Sequence, residues 1–329
     1  MKTKLKIAFA AVALALAGPT LAGITWAPPG SSTVFEDDNL DGVYTVNKPT
    51  SDPATWTLVA KDISGRPTGI NPGDVLVAVF ELPTSAGIPI LPDELTGISV
   101  IEAVGPIPGG SPLGITFQPF QGGLNNAISS LLGSAFTIGA TGVTGAGAMI
   151  AMYLDPTPDL NISAGLIATS GLSCTTMAQC LGQATDGALW EVDGFGGDPD
   201  VYWEAILTSG LYADLNEVLD APVTTTIGDF NGGLDIMVNN TGQTLKENAY
   251  ASKESVSPTG FVDMLVSGPL KGGGASPSGL RQNYAGLVAD GIVATSDIDL
   301  EKTVPVPATL ALLGAGLLGL RRSARRRPA

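Results

Sequence analysis

Residues 71–82 read N-P-G-D-V-L-V-A-V-F-E-L, a turn followed by a run of Val, Leu, Ala and Phe interrupted once, by Glu81. The Asn71-Pro72-Gly73 triplet supplies the chain reversal. Asp74 to Leu82 then lacks the 3.6-residue spacing of an amphipathic helix and has the branched, continuous apolar character of a strand covered on both faces. Similar runs occupy Ile98–Val104, Ala148–Leu154, Thr224–Ile227, Leu234–Val238 and Gly260–Val266. The 43 glycines and 24 prolines among 329 residues are spread along the chain, punctuating short segments instead of forming one low-complexity tract. A mainly β, sandwich-like domain with one or two short helices is the predicted fold class. Leu124, Ala127, Ile128, Leu131 and Leu132 share one helical face, predicting a helix over Leu124–Ala135, and Leu211–Leu219 is a second, shorter candidate. The stretches Gly105–Gly123 and Gly268–Gly279 read as loops or a domain seam.

Outside this body, the two ends carry addresses. Lys2, Lys4 and Lys6 precede an apolar run from Ile7 to Ala17, then Gly18-Pro19 and small residues at Thr20 and Ala22. That order is the charged, apolar and cleavage regions of a secretory signal peptide, so residues 1–22 are assigned to one, with cleavage after Ala22 and Ala17 as the alternative. The run is too short to cross about 30 Å of hydrocarbon. At the other end, Val304–Leu320 is apolar apart from Thr309, and Arg321, Arg322, Arg325, Arg326 and Arg327 follow it. A membrane helix over 307–320 is predicted; counted from Val304, the 17 residues rise about 25 Å, enough for a thinned bilayer. The arginines act as a cytoplasmic stop by the positive-inside rule and leave residues 23–303 on the outer side.

Setting the ends aside changes the charge. Eight Lys/Arg remain in the body (Lys48, Lys61, Arg66, Lys246, Lys253, Lys271, Arg281, Lys302) against all 31 Asp/Glu, a net of −23 where the whole chain has −15. Such a surface repels nucleic acid, which needs the opposite sign, and attracts divalent cations. Cys174 and Cys180 are the two cysteines, and in an oxidising compartment they predict a local disulfide. The chain has no histidine, which excludes Ser-His-Asp and Cys-His catalysis and His-ligated zinc.

Two acidic stretches are candidate sites. Asp37, Asn39, Asp41 and Gly42 match the opening D-x-N-x-D-G of a calcium loop, although position twelve is Lys48 where such a loop places a bidentate Glu; an Asx-rich turn before a strand at Val43–Val46 accounts for the same residues. Calcium at Asp37, Asn39 and Asp41 is the cofactor expectation that follows from the first reading. Glu191–Glu204 combines Asp193, Asp198 and Asp200 with Trp190, Phe195, Tyr202 and Trp203. Carboxylates beside exposed rings suit sugar binding or, at the right separation, glycoside hydrolysis, whereas a Gly/Asp turn between strands with buried Trp is the plainer alternative.

The tail V-P-V-P-A-T-L-A-L-L-G-A-G-L-L-G-L-R-R-S-A-R-R-R closely resembles the PEP-CTERM sorting signal of Gram-negative bacteria. Val304, Pro305, Pro307, Ala308, Thr309 and the arginine end carry the likeness; Val306 stands where the family has Glu, and the related VPLPA-type tails also carry an apolar residue there. The resemblance covers about 26 residues and implies export through signal peptidase and the secretion machinery. It also implies a transient inner-membrane anchor, processing by an exosortase, and association with exopolysaccharide, biofilm or floc formation. It implies no catalytic activity. The leading expectation is therefore a non-enzymatic surface or matrix protein. A carboxylate-dependent hydrolase using residues near 191–204 and a calcium-stabilised carbohydrate-binding module are the alternatives.

Overall fold

A computed structural model describes residues 24–304 apart from 65–67, 108–112, 140–145, 163–170, 197–200, 208–213, 223, 246–248, 251–260, 274–279 and 298. The signal peptide, Pro305–Thr309, the membrane helix over 307–320 and the arginine end lie outside the described residues. Among the described residues no helix is long and apolar enough to cross a membrane.

In chain order the elements are β1 (Ser32–Asn47), a 3-10 turn (Pro53–Thr55), β2 (Thr57–Ala60), β3 (Val75–Ser85), β4 (Ile88–Pro89), β5 (Glu94–Pro106), β6 (Gly114–Pro119) and α1 (Leu124–Leu132). There follow β7 (Ala148–Asp155), α2 (Met177–Ala184), β8 (Ala188–Gly194), β9 (Tyr202–Leu207), α3 (Leu215–Asp220), β10 (Thr226–Asn239), β11 (Ala249–Tyr250) and β12 (Phe261–Val262). The last are β13 (Met264–Gly272), α4 (Leu280–Asn283), α5 (Ala285–Ala289), β14 (Ile292–Ser296) and β15 (Asp299–Thr303).

The mainly β prediction holds, and its two facing layers come from one antiparallel sheet that closes on itself. Strands pair in the ring β1-β3-β5-β6-β9-β10-β13-β15 and back to β1. Closure removes the free edges that would otherwise template pairing with other chains. Two long strands fork the wall. One edge of β5 pairs β7 through Glu94–Ser99 and β6 from Ile101 onward. The edge of β10 pairs β9 through Gly228–Gly233 and β8 through Asp235–Asn239. Opposite the fork, β14 and β15 share the gap between β13 and β1.

The apolar run of β3 explains why the ring has two cores. Along β3, Leu76, Phe80 and Leu82 pack inside the ring with Phe35, Ile101, Phe117, Trp203, Phe230 and Val266. The alternate residues Val75, Val77 and Val79 pack outside, against Leu124, Ala127 and Ile128 of α1 and Cys180 and Leu181 of α2. A strand with both faces covered has no polar face to show, hence the unbroken apolar run. Gly97 on β5 marks the tightest crossing: a Cβ there would lie 2.3 Å from Phe80 Cζ and 2.8 Å from the Ala151 carbonyl.

Several expectations shift. Thr224–Ile227 and Leu234–Val238 belong to one strand, β10, because it takes different partners along its length. The stretch 105–123 contains β6, and β13 continues through Gly272, so the closed sheet runs through both proposed loop regions. The second helix begins at Leu215, where Asp214 Oδ1 accepts from Asn216 N; Leu211 lies outside the described residues. Helix α2 was not expected. Thr176 and Gln179 form its start, with Gln179 N donating to Thr176 Oγ1 and Gln179 Oε1 accepting from Thr175 N.

Candidate functional site

The predicted disulfide is present between Cys174 and Cys180, with both residues fully buried under the outer face of the ring. Cys180 lies in α2, so the bridge fastens that helix to the extended segment preceding it.

Asp37, Asn39 and Asp41 do not form a loop. They are alternate residues of β1, directed inward, and all three border an internal cavity of about 20 Å³ with Ser99, Trp203 and Phe230. An extended strand rises about 3.3 Å per residue, which separates the Asp37 and Asp41 backbones by about 13 Å, too far for both carboxylates to ligate one ion at 2.3–2.6 Å. The calcium-loop reading and the Asx-turn reading are both replaced by a buried polar stripe. Asn39 Oδ1, Asp41 Oδ2 and Ser296 Oγ have no hydrogen-bond partner among the described residues. Burial pushes the Asp41 carboxyl up to about 7, with the nearby Ser296 hydroxyl opposing part of the rise.

The 191–204 stretch is also interior. Trp190, Tyr202 and Trp203 are buried, Trp190 stacking on Trp26 with ring centroids 5.9 Å apart and Trp203 meeting Phe230 edge-on at 6.3 Å. Rings consumed by the core offer no platform for a sugar. Glu191, Asp193 and Glu204 are buried as well, so these three do not form a solvent-accessible carboxylate pair. Asp198 and Asp200 lie outside the described residues.

What the fold places beside Glu191 is Lys302. On β15 the alternation D-L-E-K-T turns Leu300 and Lys302 inward, and Lys302 stands opposite Met264 of β13. Its Nζ donates to Glu191 Oε1, lies 3.5 Å from Asp193 Oδ1 and approaches Met264 Sδ at 2.9 Å. All three charged side chains have zero exposure. Burial holds the lysine well below its ordinary range; burial, then the charge of Asp263, pushes Asp193 well above its own. One cation thus answers two carboxyl groups at the base of the closing strand. The body's charge count treats Lys302 as a surface charge, whereas the alternation of β15 places it inside.

A second cluster escaped sequence reading because its members are remote in the chain. Glu94 and Asp155 are direct cross-strand partners at the junction of β5 and β7, and Asp159 follows in the next loop; one oxygen from each lies within 4.8 Å of the others. Burial raises Glu94 to about 7, although Oε2 accepts from the backbone N–H groups of Asp159 and Leu160. Asp186 is raised too, by burial first and then by Asp159 and Asp155. Beside the cluster lies a cleft of about 640 Å³ lined by Glu81, Asp93, Glu94, Asp159 and Asn161 together with Pro89 and Leu91.

No curated protein matches the chain. A solved structure described as "Structural Studies of Acetoacetate Decarboxylase" is similar over 84% of this chain and 88% of that one, at 10% identity and a TM-score of 0.22, too distant to bear on fold or chemistry. The tail is different. Its first residues are joined directly to the closing strand: β15 ends at Thr303, and the Val304 carbonyl accepts from Gly30 N at 2.7 Å. Residues 303–327 match the PEP-CTERM protein-sorting motif, so the chain carries a PEP-CTERM signal, which supports export and sorting by an exosortase.

Proposed function

We propose that the chain is a non-enzymatic surface or matrix protein of a Gram-negative bacterium, held to extracellular polysaccharide after exosortase releases it from its membrane tail. The observation that carries this reading is the sorting motif at 303–327, attached without a linker to the last strand of the closed sheet. The anionic body supports an extracellular, hydrated setting, with 31 acidic residues against eight basic ones outside the two terminal signals. The burial of Glu191 and Glu204 favours a binding or structural role over glycoside hydrolysis.

Fractionation of the host tests it. The full chain should be recovered with the extracellular polysaccharide and be released by glycosidase digestion of that polymer. A chain lacking 304–329 should lose that location. Equal distribution of both chains, or no co-sedimentation with the polymer, would overturn the proposal.

A further inference from the structure

We infer that Glu94, Asp155 and Asp159 form a calcium site at the mouth of the cleft beside β5 and β7. This site is distinct from the Asp37–Asp41 stripe and independent of where the protein is finally sorted.

Register supplies the first reason. The β5–β7 pairing sets Glu94 directly across from Asp155, and like charges in that position oppose the pairing they sit in. Both residues are about 95% buried, at 6% and 5% exposure, where an uncompensated carboxylate is costly. Among the described residues no lysine or arginine pairs with Glu94, Asp155 or Asp159; the ion pairs there involve Lys61, Lys271, Arg281 and Lys302.

The second reason is an oxygen with nothing to bind. Glu94 Oε2 is fixed by the Asp159 and Leu160 N–H groups, which turns this carboxyl toward the 158–160 segment, while Oε1 is buried with no hydrogen-bond partner. Asp155 Oδ1 is likewise fixed, by the N–H and hydroxyl of Thr157. Two carboxyl groups held by backbone and loop contacts and a third from Asp159, with one oxygen of each within 4.8 Å of the others, match an all-oxygen hard-cation site. The adjoining cleft gives solvent access, so water can complete the six to eight oxygens that calcium takes. Magnesium, which demands a near-ideal octahedron at shorter distances, suits such an irregular set less well.

The test uses the full-length chain, with thermal unfolding followed in chelator, in millimolar CaCl₂ and in MgCl₂ at equal ionic strength. Calcium should raise the midpoint by about 5 °C. E94Q and D155N should abolish that rise, and equilibrium dialysis with ⁴⁵Ca should fall from one ion per chain to none. Both variants keep the side-chain acceptors of the native hydrogen bonds, so in chelator they should unfold at or above the wild-type midpoint, which separates lost binding from lost folding. Three results would each overturn the inference: no calcium shift in the wild type, an equal shift with magnesium, or a calcium shift that survives in E94Q and D155N.

Discussion

Asp41 sits on β1 with its carboxyl inside the ring, facing a cavity it shares with Asn39 and Asp37. Its pKa stands at about 7 in the fold against an ordinary 3.8. The folded chain therefore keeps a proton that the unfolded chain releases between those values, and stability falls as pH rises from about 4 to 7. The full effect is on the order of 4 kcal/mol, since each pKa unit corresponds to about 1.4 kcal/mol. Asp41→Asn removes the titration while keeping the shape. Its amide, like the acid it replaces, lacks a partner for one atom, which costs about 1–3 kcal/mol at any pH. Denaturant titrations at pH 4 and pH 8 should show the variant weaker than or equal to the wild type at the lower pH and gaining on it by several kcal/mol at the higher one. A stability difference that is flat with pH would remove Asp41 as the source.

At the level of elements, the Cys174–Cys180 bridge does more than close a short loop. Cys180 lies within α2, and α2 contributes Met177, Cys180, Leu181 and Ala184 to the core on the outer face of the ring. Closing a loop with a sequence separation of 6 is worth about 2 kcal/mol by chain entropy. A Cys174→Ser/Cys180→Ser double variant should lose at least that much, because the buried hydroxyls add a desolvation penalty. Urea unfolding measures it, and a loss under about 1 kcal/mol would mean that α2 is held by packing alone. The same region shows how far sequence carries. The pattern of β3 was legible because both its faces are apolar, and α1 because its stripe at Leu124, Ala127 and Ile128 has the helical period. Helix α2 was not, since T-T-M-A-Q-C is too short for a periodic signal, although Thr176 and Gln179 spell a capping pair. Nor was the fork at β5 and β10, because which edge pairs with which strand is decided by contacts up to 61 residues apart. The same distance hid Glu94, Asp155 and Asp159 from a reading that searched for ligands within one loop, and it drew attention to Asp37, Asn39 and Asp41, whose spacing mimics a loop while their backbone is extended.

For the molecule as a whole, the decisive feature is that the address begins where the fold ends. Strand β15 pairs β1 through Ser32–Phe35 on one side and β13 through Met264–Ser267 on the other, and it delivers Lys302 to Glu191 and Asp193. One residue beyond Thr303, Val304 is still hydrogen-bonded to Gly30, and the Pro305 to Thr309 portion of the sorting motif starts immediately after. Processing upstream of Lys302 would leave the buried Glu191 and Asp193 carboxyl groups without the lysine they contact and would uncover the edges of β1 and β13. Processing at or beyond Val304 would cost the sheet nothing. The mature chain should therefore end at Val304 or within the next five residues. Intact-mass measurement of the protein isolated from outside the host cell reads this directly, and a folded mature chain ending before Asp299 would show that β15 is dispensable and that the closing strand belongs to the signal instead of the closed sheet.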